Sequence, residues 1–333
     1  MPASTANAAQ LCIDALNGAE PSRSSPLYTV MTMANTLEFS QQAWVIRGQS
    51  RSRRVGSWPT WFARNTGEKP LLYLHSAASS AQLCTLSDET AQRGILCNDI
   101  ENQPSPWPKG AQPSLPLWLA NQPRCTPYDP ASGEEARAIV LAGLRTLYVD
   151  GQPGFYYLAL HDQETAVTLD AQDREDALRG MYPIQRRQGE VRLLGAGRAL
   201  VEVAHAAQLL EQDWSITAQL WSCPSYTRLA REAAAAARWN RLHPIAPRQS
   251  CHLRDCLAGD TTPVIAVTGY PQPIVDQLGP YVDARFVALG AGSVQACAPS
   301  RFWIVVCALR ALADEGCIDA HQVEIAMKRY PLE

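Results

Sequence analysis

A glycine-containing turn is the first feature of the sequence that could bind a ligand. Gly195-Ala-Gly197 follows the apolar stretch from Val191 to Leu194 and precedes a helical pattern that begins at Arg198. Backbone amides at a strand-to-helix junction can hold a phosphate group. However, Leu200 stands where a dinucleotide-binding turn has its third glycine, and no acidic residue follows an adjacent second strand to hold a ribose. We therefore prefer a tight strand–helix turn, with a dinucleotide site as the alternative.

The cysteines do not show the spacing of a disulfide or zinc framework. The ten cysteines are spread from Cys12 to Cys317. Only Cys251 and Cys256 lie close enough together to suggest a metal, and a zinc site would need two further ligands at matching spacing. No such ligands are obvious nearby. We interpret the cysteines as buried or surface thiols, so the sequence predicts no metal ligand.

Residues for nucleophilic or acid–base catalysis cannot be assembled from the motifs. A glycine-flanked serine elbow is absent. His75 ends a predicted strand without a carboxylate close in sequence, and His205 lies on the apolar face of a predicted helix, which is typical of a core histidine. His243 precedes Pro244 at a helix end, where capping is the common role. The catalytic residues therefore stay unknown, and no cofactor-binding residue is assigned.

The charge distribution argues against a nucleic-acid binder. The run from Arg47 to Arg54 contains four arginines, but no aromatic residue interrupts it, so we interpret it as a solvated surface. The formal net charge of the chain is -3, which leaves no general basic field for nucleic acid.

The apolar segments predict neither a membrane span nor a secretory signal. The longest apolar stretch, Phe302–Leu309, ends at Arg310, well short of the ~20 residues that a membrane helix needs. The first ten residues lack a basic start and an apolar core. Apolar residues make up 46% of the chain and charged residues 18%, which excludes disorder along its whole length. We expect a cytoplasmic, folded protein.

The apolar pattern of the first half indicates a mixture of helices and strands. Residues 1–25 are small and polar and predict a flexible arm. Pro70–Leu74 and Phe155–Leu160 are typical of strands, and Ser132 is placed to cap a helix. Residues 98–125 are rich in proline and turn-forming residues, so they predict a long loop.

The second half predicts a separate α/β domain. From about residue 190 onward, short apolar strands alternate with helical patterns. Alternation at this density indicates a mostly parallel sheet that is covered by helices. We place the domains at residues 26–179 and 180–333.

Several strings of residues are more specific than this pattern. They run in order over residues 121–330, and Arg238-Trp-Asn-Arg-Leu-His-Pro244 is the most specific of them. The others are Cys125–Ala131, Gly143–Leu144, Phe155–Tyr157, Trp221–Arg231, Pro263–Tyr270, Arg285–Gly290 and Ala308–Asp319. Together they resemble the end of the central domain and the C-terminal domain of the homodimeric-type pyruvate dehydrogenase E1 component. A weaker match extends upstream to Pro26.

This resemblance implies a fold, an activity and a cofactor. Residues 180–333 would form a transketolase C-terminal-like domain, and residues 26–179 a truncated thiamine-binding, pyrimidine-type α/β domain. Members of the family decarboxylate a 2-oxo acid on thiamine diphosphate, with Mg²⁺, and transfer the acetyl unit to a lipoyl group on an E2 partner. The resemblance also implies a dimer.

The sequence departs from the family where the cofactor should bind. The Gly-Asp-Gly…Asn motif for the diphosphate and Mg²⁺ is absent, since Gly259-Asp-Thr261 lacks the second glycine. The glutamate that activates the cofactor belongs to a segment upstream of the match. The aromatic pair that packs on the pyrimidine falls at Ala34 and Thr36, and a histidine-rich loop is replaced by Gly110–Leu117. A further family string is replaced by Ala291–Cys297.

Two hypotheses follow from these matches and departures. In the first, the chain is an E1-like subunit that needs an E1-like or thiamine-binding partner for the cofactor and is inactive alone. In the second, it is a non-catalytic scaffold or binding subunit that retains the fold. Both predict that the isolated chain does not bind thiamine diphosphate and Mg²⁺.

Overall fold

The chain folds into two compact α/β units, residues 1–170 and 171–333. The computed structural model describes residues 3–18, 24–48, 69–90, 92–165, 167–259, 261–292 and 298–332. Within these residues, no helix combines the length and the hydropathy needed to cross a membrane.

The first unit contains a five-stranded, all-parallel sheet. Its strands are β1 (Trp44–Arg47), β2 (Leu71–His75), β3 (Gly94–Asn98), β4 (Cys125–Tyr128) and β5 (Phe155–Ala159). They lie side by side in the order β1-β2-β3-β5-β4, and each pairing is parallel. β2, β3 and β5 are buried along their whole length, which fits the continuous apolar sequence expected of central parallel strands.

In the described part of the first unit, five helices accompany this sheet: α1 (Ala3–Asn17), α2 (Pro26–Ser40), α3 (Ser80–Glu89), α4 (Ser114–Asn121) and α5 (Gly133–Leu144). The predicted cap of α5 is confirmed, because the Ser132 hydroxyl accepts a hydrogen bond from the Glu135 amide at 3.2 Å. α5 continues into one π-helical turn, Arg145–Val149.

Residues 3–17 form a helix, so the prediction of a flexible arm over residues 1–25 was wrong for this part. α1 buries Ala9, Cys12, Ile13 and Leu16 and packs on α2 and on the π-helical turn. Its small residues have high helix propensity, and four apolar positions recur at helical spacing. The loop predicted over residues 98–125 was also only partly correct, because it contains α4 and two short 3₁₀ turns.

The second unit contains a mostly parallel five-stranded sheet. Its strands are β6 (Tyr182–Pro183), β7 (Val191–Gly195), β8 (Ala218–Ser222), β9 (Val264–Pro271) and β10 (Phe286–Ala291). Their order is β10-β9-β7-β8-β6, and only the two-residue edge strand β6 is antiparallel. The predicted mostly parallel sheet is confirmed.

Seven helices surround the second sheet: α6 (Ala171–Arg179), α7 (Ala199–Trp214), α8 (Tyr226–Leu242), α9 (His252–Leu257), α10 (Pro273–Asp276), α11 (Arg301–Asp314) and α12 (Ala320–Arg329). One core cluster joins strand residues such as Leu193 and Ile265 to buried residues of α7, α11 and α12. The two units divide between residues 170 and 171, and α6 contacts β6 of the second unit. The domain bounds 26–179 and 180–333 stay a prediction.

The docking of α1 gives a stability test. Leu16 is 1% exposed, whereas Leu11 on the same helix is 46% exposed. We expect Leu16→Ala to lower the free energy of unfolding by about 3 kcal/mol, because it removes buried methyl groups and leaves a cavity. Leu11→Ala, the matched control, should change it by less than about 0.5 kcal/mol. Urea unfolding of the two variants checks this, and equal effects would mean that α1 is not docked in solution.

Candidate functional site: the carboxyl edge of the first sheet

Polar residues collect at the edge where the parallel strands of the first sheet end. β2 ends at His75 and β3 at Asn98, while Asp129 follows β4 and His161 lies just beyond β5. In parallel sheets the carboxyl ends of the strands share one edge, which is the usual place for a ligand. These four side chains are all at least nine-tenths buried. The edge is therefore the first place to look for chemistry.

A buried lysine lies in this region. Lys109 Nζ is 2.6 Å from Glu101 Oε2 and 3.0 Å from Asp129 Oδ1, and the three side chains are 4%, 7% and 9% exposed. Lys109 has a left-handed backbone, φ 54°, and Gly110 follows with φ 69°. A Cβ on Gly110 would lie 2.3 Å from the Ile100 carbonyl oxygen, so only glycine fits this turn. The close packing against residues 100–102 holds the ammonium between the carboxylates.

The electrostatics of this triad are those of a closed cluster. Burial opposes the charge on Lys109, but Asp129 and Glu101 outweigh burial and raise the pKa of the ammonium. Burial also raises the pKa of Asp129, although Lys109 acts in the opposite direction. Asp129 Oδ2 is buried and has no hydrogen-bond partner within the described residues. Two carboxylates thus share one ammonium away from water.

His75 belongs to a second network at the same edge. Its Nδ1 accepts a hydrogen bond from the Ala77 amide at 3.2 Å, so the neutral ring carries its proton on Nε2. Nε2 is buried and unpartnered among the described residues. Burial lowers the pKa of the His75 imidazole to about 3, which keeps the ring neutral at physiological pH. The ring therefore does not act as a proton carrier there.

Asn98, at the end of β3, bonds to the loop after β2 and to Tyr157 of β5. Its amide nitrogen donates to the Ala77 carbonyl at 2.8 Å and to the Tyr157 hydroxyl at 2.9 Å, and its amide oxygen accepts from the Ile100 amide. Next to it, the Ser76 hydroxyl bonds to the carboxylate of Asp99. The strand ends thus bond to the chain's own loops, and these bonds fix the loops. Among the residues that the structure describes at this edge, no acid–base or nucleophilic set is assembled.

The glycine turn of the second sheet has the geometry of a tight connection. A Cβ on Gly195 would lie 2.9 Å from Leu200 Cα, so the strand and the helix approach too closely for a side chain. The first amides of α7 are already used, since Ala199 N donates to Ala196 O and Leu200 N to Gly197 O, both at 3.1 Å. This favours the tight-turn interpretation over a phosphate site.

Cys251 and Cys256 lie beside a buried histidine. His252 Nε2 is 2.8 Å from the Met181 carbonyl, and Cys256 Sγ is 3.6 and 3.7 Å from the two ring nitrogens. Burial raises the pKa of Cys251, and it raises that of Cys256 to about 12, with Asp176 adding to the shift. Neither thiol is a nucleophile at neutral pH. Within the described residues, no group of three or more metal-binding side chains occurs.

The structure does not bring the other residues singled out in the sequence together at one site. Arg47 pairs with Glu38 at 3.2 Å on the surface, and positions 49–54 of the basic run lie outside the described residues. His205 belongs to α7 and His243 caps α8. Lys109 was missed, because it lies in a segment predicted as loop and its only signal was a Pro-Lys-Gly sequence.

Comparisons with known proteins identify relatives of this chain. The family described as "Transketolase-like TK C-terminal domain" matches residues 180–293. The pyruvate dehydrogenase E1 component of Cupriavidus necator is 32% identical over 272 residues, 75% of this chain and 30% of the relative. That of Pseudomonas aeruginosa is 33% identical over 65% of this chain and 26% of the relative. This chain is related to the pyruvate dehydrogenase E1 component. It spans about a third or less of the length of these E1 relatives.

Solved structures show the same fold at low identity. A protein described as a split-gene transketolase, inactive β4 tetramer, superposes with a TM-score of 0.55 at 13% identity, covering 88% of this chain and 99% of that one. The transketolase of Campylobacter jejuni gives 0.51 at 11% identity, covering 93% of this chain and 47% of that one. The E1-like chain thus has a transketolase-like fold in both units.

The E1 and transketolase families depend on thiamine diphosphate, but the described residues of this E1-like chain do not fit that cofactor. Ala34 is fully buried in α2, and the Thr36 hydroxyl donates to the Thr32 carbonyl at 3.1 Å, so neither offers an aromatic face. The buried polar groups at the carboxyl edge bond mainly to their own chain. We therefore derive no catalytic step through the cofactor.

Removing the buried ammonium tests the triad. We expect Lys109→Met to lower the free energy of unfolding by about 3–5 kcal/mol at pH 7, because it strands two buried carboxylates. The loss should shrink as the pH falls and the carboxylates take up protons. Urea unfolding measures it, with the exposed Lys328→Met as control. Adding Glu101→Gln and Asp129→Asn should recover most of the loss. If it does not, the lysine acts through packing and not charge.

His75 should contribute to acid unfolding. Its folded pKa of about 3 lies below the usual value of about 6.5, so only the unfolded chain binds this proton between those values. The free energy of unfolding should fall with decreasing pH across this window, by up to about 1.4 kcal/mol per unit from this group. His75→Asn keeps an acceptor and should flatten the slope between pH 6 and 4. His321→Asn, at an exposed position, should not. Identical slopes in both variants would contradict the assignment.

Proposed function

We propose that the E1-like chain is one subunit of a thiamine diphosphate-dependent 2-oxo acid decarboxylase, in which a partner chain holds the cofactor. Residues 26–170 supply the remainder of a pyrimidine-type domain, and the second unit supplies the transketolase C-terminal-like domain. The acetyl unit passes to a lipoyl group on an E2 partner, as the E1 resemblance implies. The assembly is a dimer or higher oligomer in the cytoplasm.

One observation carries this proposal: at the two positions where the family places an aromatic pair, Ala34 is fully buried and the Thr36 hydroxyl bonds to the Thr32 carbonyl, so neither position offers an aromatic face. A protein of comparable extent and fold is described as a split-gene transketolase that is inactive as a β4 tetramer. That description supports a partner chain as the holder of the cofactor.

The second candidate is a non-catalytic E1-like scaffold. The self-bonded carboxyl edge favours it, because even the portion of the site that this chain should contribute is built from structural contacts. Lys109 Nζ in its two ion pairs, and Asn98 between Ala77 and Tyr157, stabilise loops and leave no reacting group there.

Calorimetry and an activity assay test the proposal and separate the candidates. We expect the isolated chain to bind thiamine diphosphate with Mg²⁺ no better than millimolar. We expect it to co-purify with a chain that carries the Gly-Asp-Gly…Asn motif, and the complex to decarboxylate a 2-oxo acid faster than that partner alone. A stable complex with no gain in activity supports the scaffold instead. Micromolar cofactor binding by the isolated chain would contradict both.

A further inference from the structure

The end of α8 and the segment after it form an exposed surface on the second unit. Buried residues of α8 extend from Tyr226 to Ala236, and beyond them the side chains turn outward. Trp239 is 38% exposed, Leu242 62% and Ile245 99%. We refer to this part of the chain, residues 238–250, as the 238–250 segment. Three large apolar side chains thus face solvent within seven residues, more than isolated exposed residues usually show.

This segment is held in a fixed shape although it is exposed. The His243 ring stacks on Trp239 with centroids 3.6 Å apart and an angle of 19°. The Asn240 side chain donates to the Gln249 carbonyl at 2.9 Å and accepts from the Gln249 amide at 2.8 Å. These bonds join the two ends of the loop. A preordered surface loses less conformational entropy on binding.

The charge of the segment is of one sign. Between Glu232 and Asp255 the sequence contains four arginines and no carboxylate, in a chain whose net charge is -3. Arg254 contacts Asp283 at 3.7 Å. The other three are exposed, and in the described part of the chain none is within ion-pair distance of a carboxylate. They are Arg238, Arg241 and Arg248.

We propose that the 238–250 segment docks an acidic protein segment that carries an apolar side chain. Trp239, Leu242 and Ile245 would bury the apolar side chain, and the surrounding arginines would pair with the carboxylates. Tryptophan and arginine are the residues most often dominant in protein–protein interfaces. An acidic polypeptide matches this surface better than nucleic acid does, because three exposed apolar side chains lie between the arginines in sequence and the chain as a whole is acidic.

Peptide binding tests this inference with the full chain. The probe is a synthetic twelve-residue peptide of glutamates around two leucines, and the control peptide has serines in place of the leucines. Fluorescence anisotropy measures both dissociation constants. We expect the leucine peptide to bind at least about tenfold more tightly. Equal binding would reduce the surface to general anion attraction and overturn the proposal, as would no binding at millimolar peptide.

Variants locate the contact. Arg241→Glu and Ile245→Ser should each weaken binding of the leucine peptide about tenfold. Lys328→Glu, which makes the same charge change on the exposed face of α12, should leave it within about twofold. The Arg241 and Ile245 side chains are exposed, so the circular dichroism of these two variants should match that of the unaltered chain.

Two other occupants would also overturn the proposal. Tighter binding of a single-stranded oligonucleotide than of the leucine peptide, lost in Arg241→Glu, would assign the surface to nucleic acid. Concentration-dependent self-association by sedimentation, lost in Ile245→Ser, would assign it to a second copy of this chain. Neither result bears on the proposed E1-like function, which the cofactor and activity measurements test separately.

Discussion

The ammonium of Lys109 between two buried carboxylates determines what the first sheet can do. A charge in this position is tolerated only while Glu101 and Asp129 surround it, and the carboxylates are tolerated only while it is there. The left-handed turn at Lys109 and Gly110 places the lysine side chain between the two carboxylates. The loops that could open around a ligand are thereby fixed to the strand ends.

In the first unit, the polar groups at the carboxyl edge are occupied by contacts within the chain itself. Parallel sheets bind ligands at their carboxyl edge because polar groups there are available to something other than the chain. Here Asn98 and His75 bond to the loop at Ala77, and Lys109 bonds to carboxylates on either side. The second unit retains the same architecture on its own core of strand, α7, α11 and α12 residues. The transketolase-like fold alone does not fix the chemistry of a chain.

The sequence predicted the second unit better than the first for a physical reason. Its strands and helices alternate at short range, and the strand Val191–Leu194 and the helix after it carry clear apolar periods. In the first unit α1 was missed, because most of its apolar residues are alanines, which are small, and its stability comes from docking. In the buried triad, Lys109 lies 8 residues from Glu101 and 20 from Asp129, at spacings that belong to neither a helical nor a strand period. No local pattern marks such a contact before folding.

The resemblance predicts that the family's aromatic pair is replaced at Ala34 and Thr36, and the failure of the isolated chain to bind the cofactor stays a prediction. A structure of the chain crystallised with thiamine diphosphate and Mg²⁺ tests the account most directly. In that structure we expect Lys109 Nζ still to bridge Glu101 and Asp129, with no cofactor at the carboxyl edge of the first sheet. Thiamine diphosphate seated at that edge, with the triad opened to receive it, would contradict it.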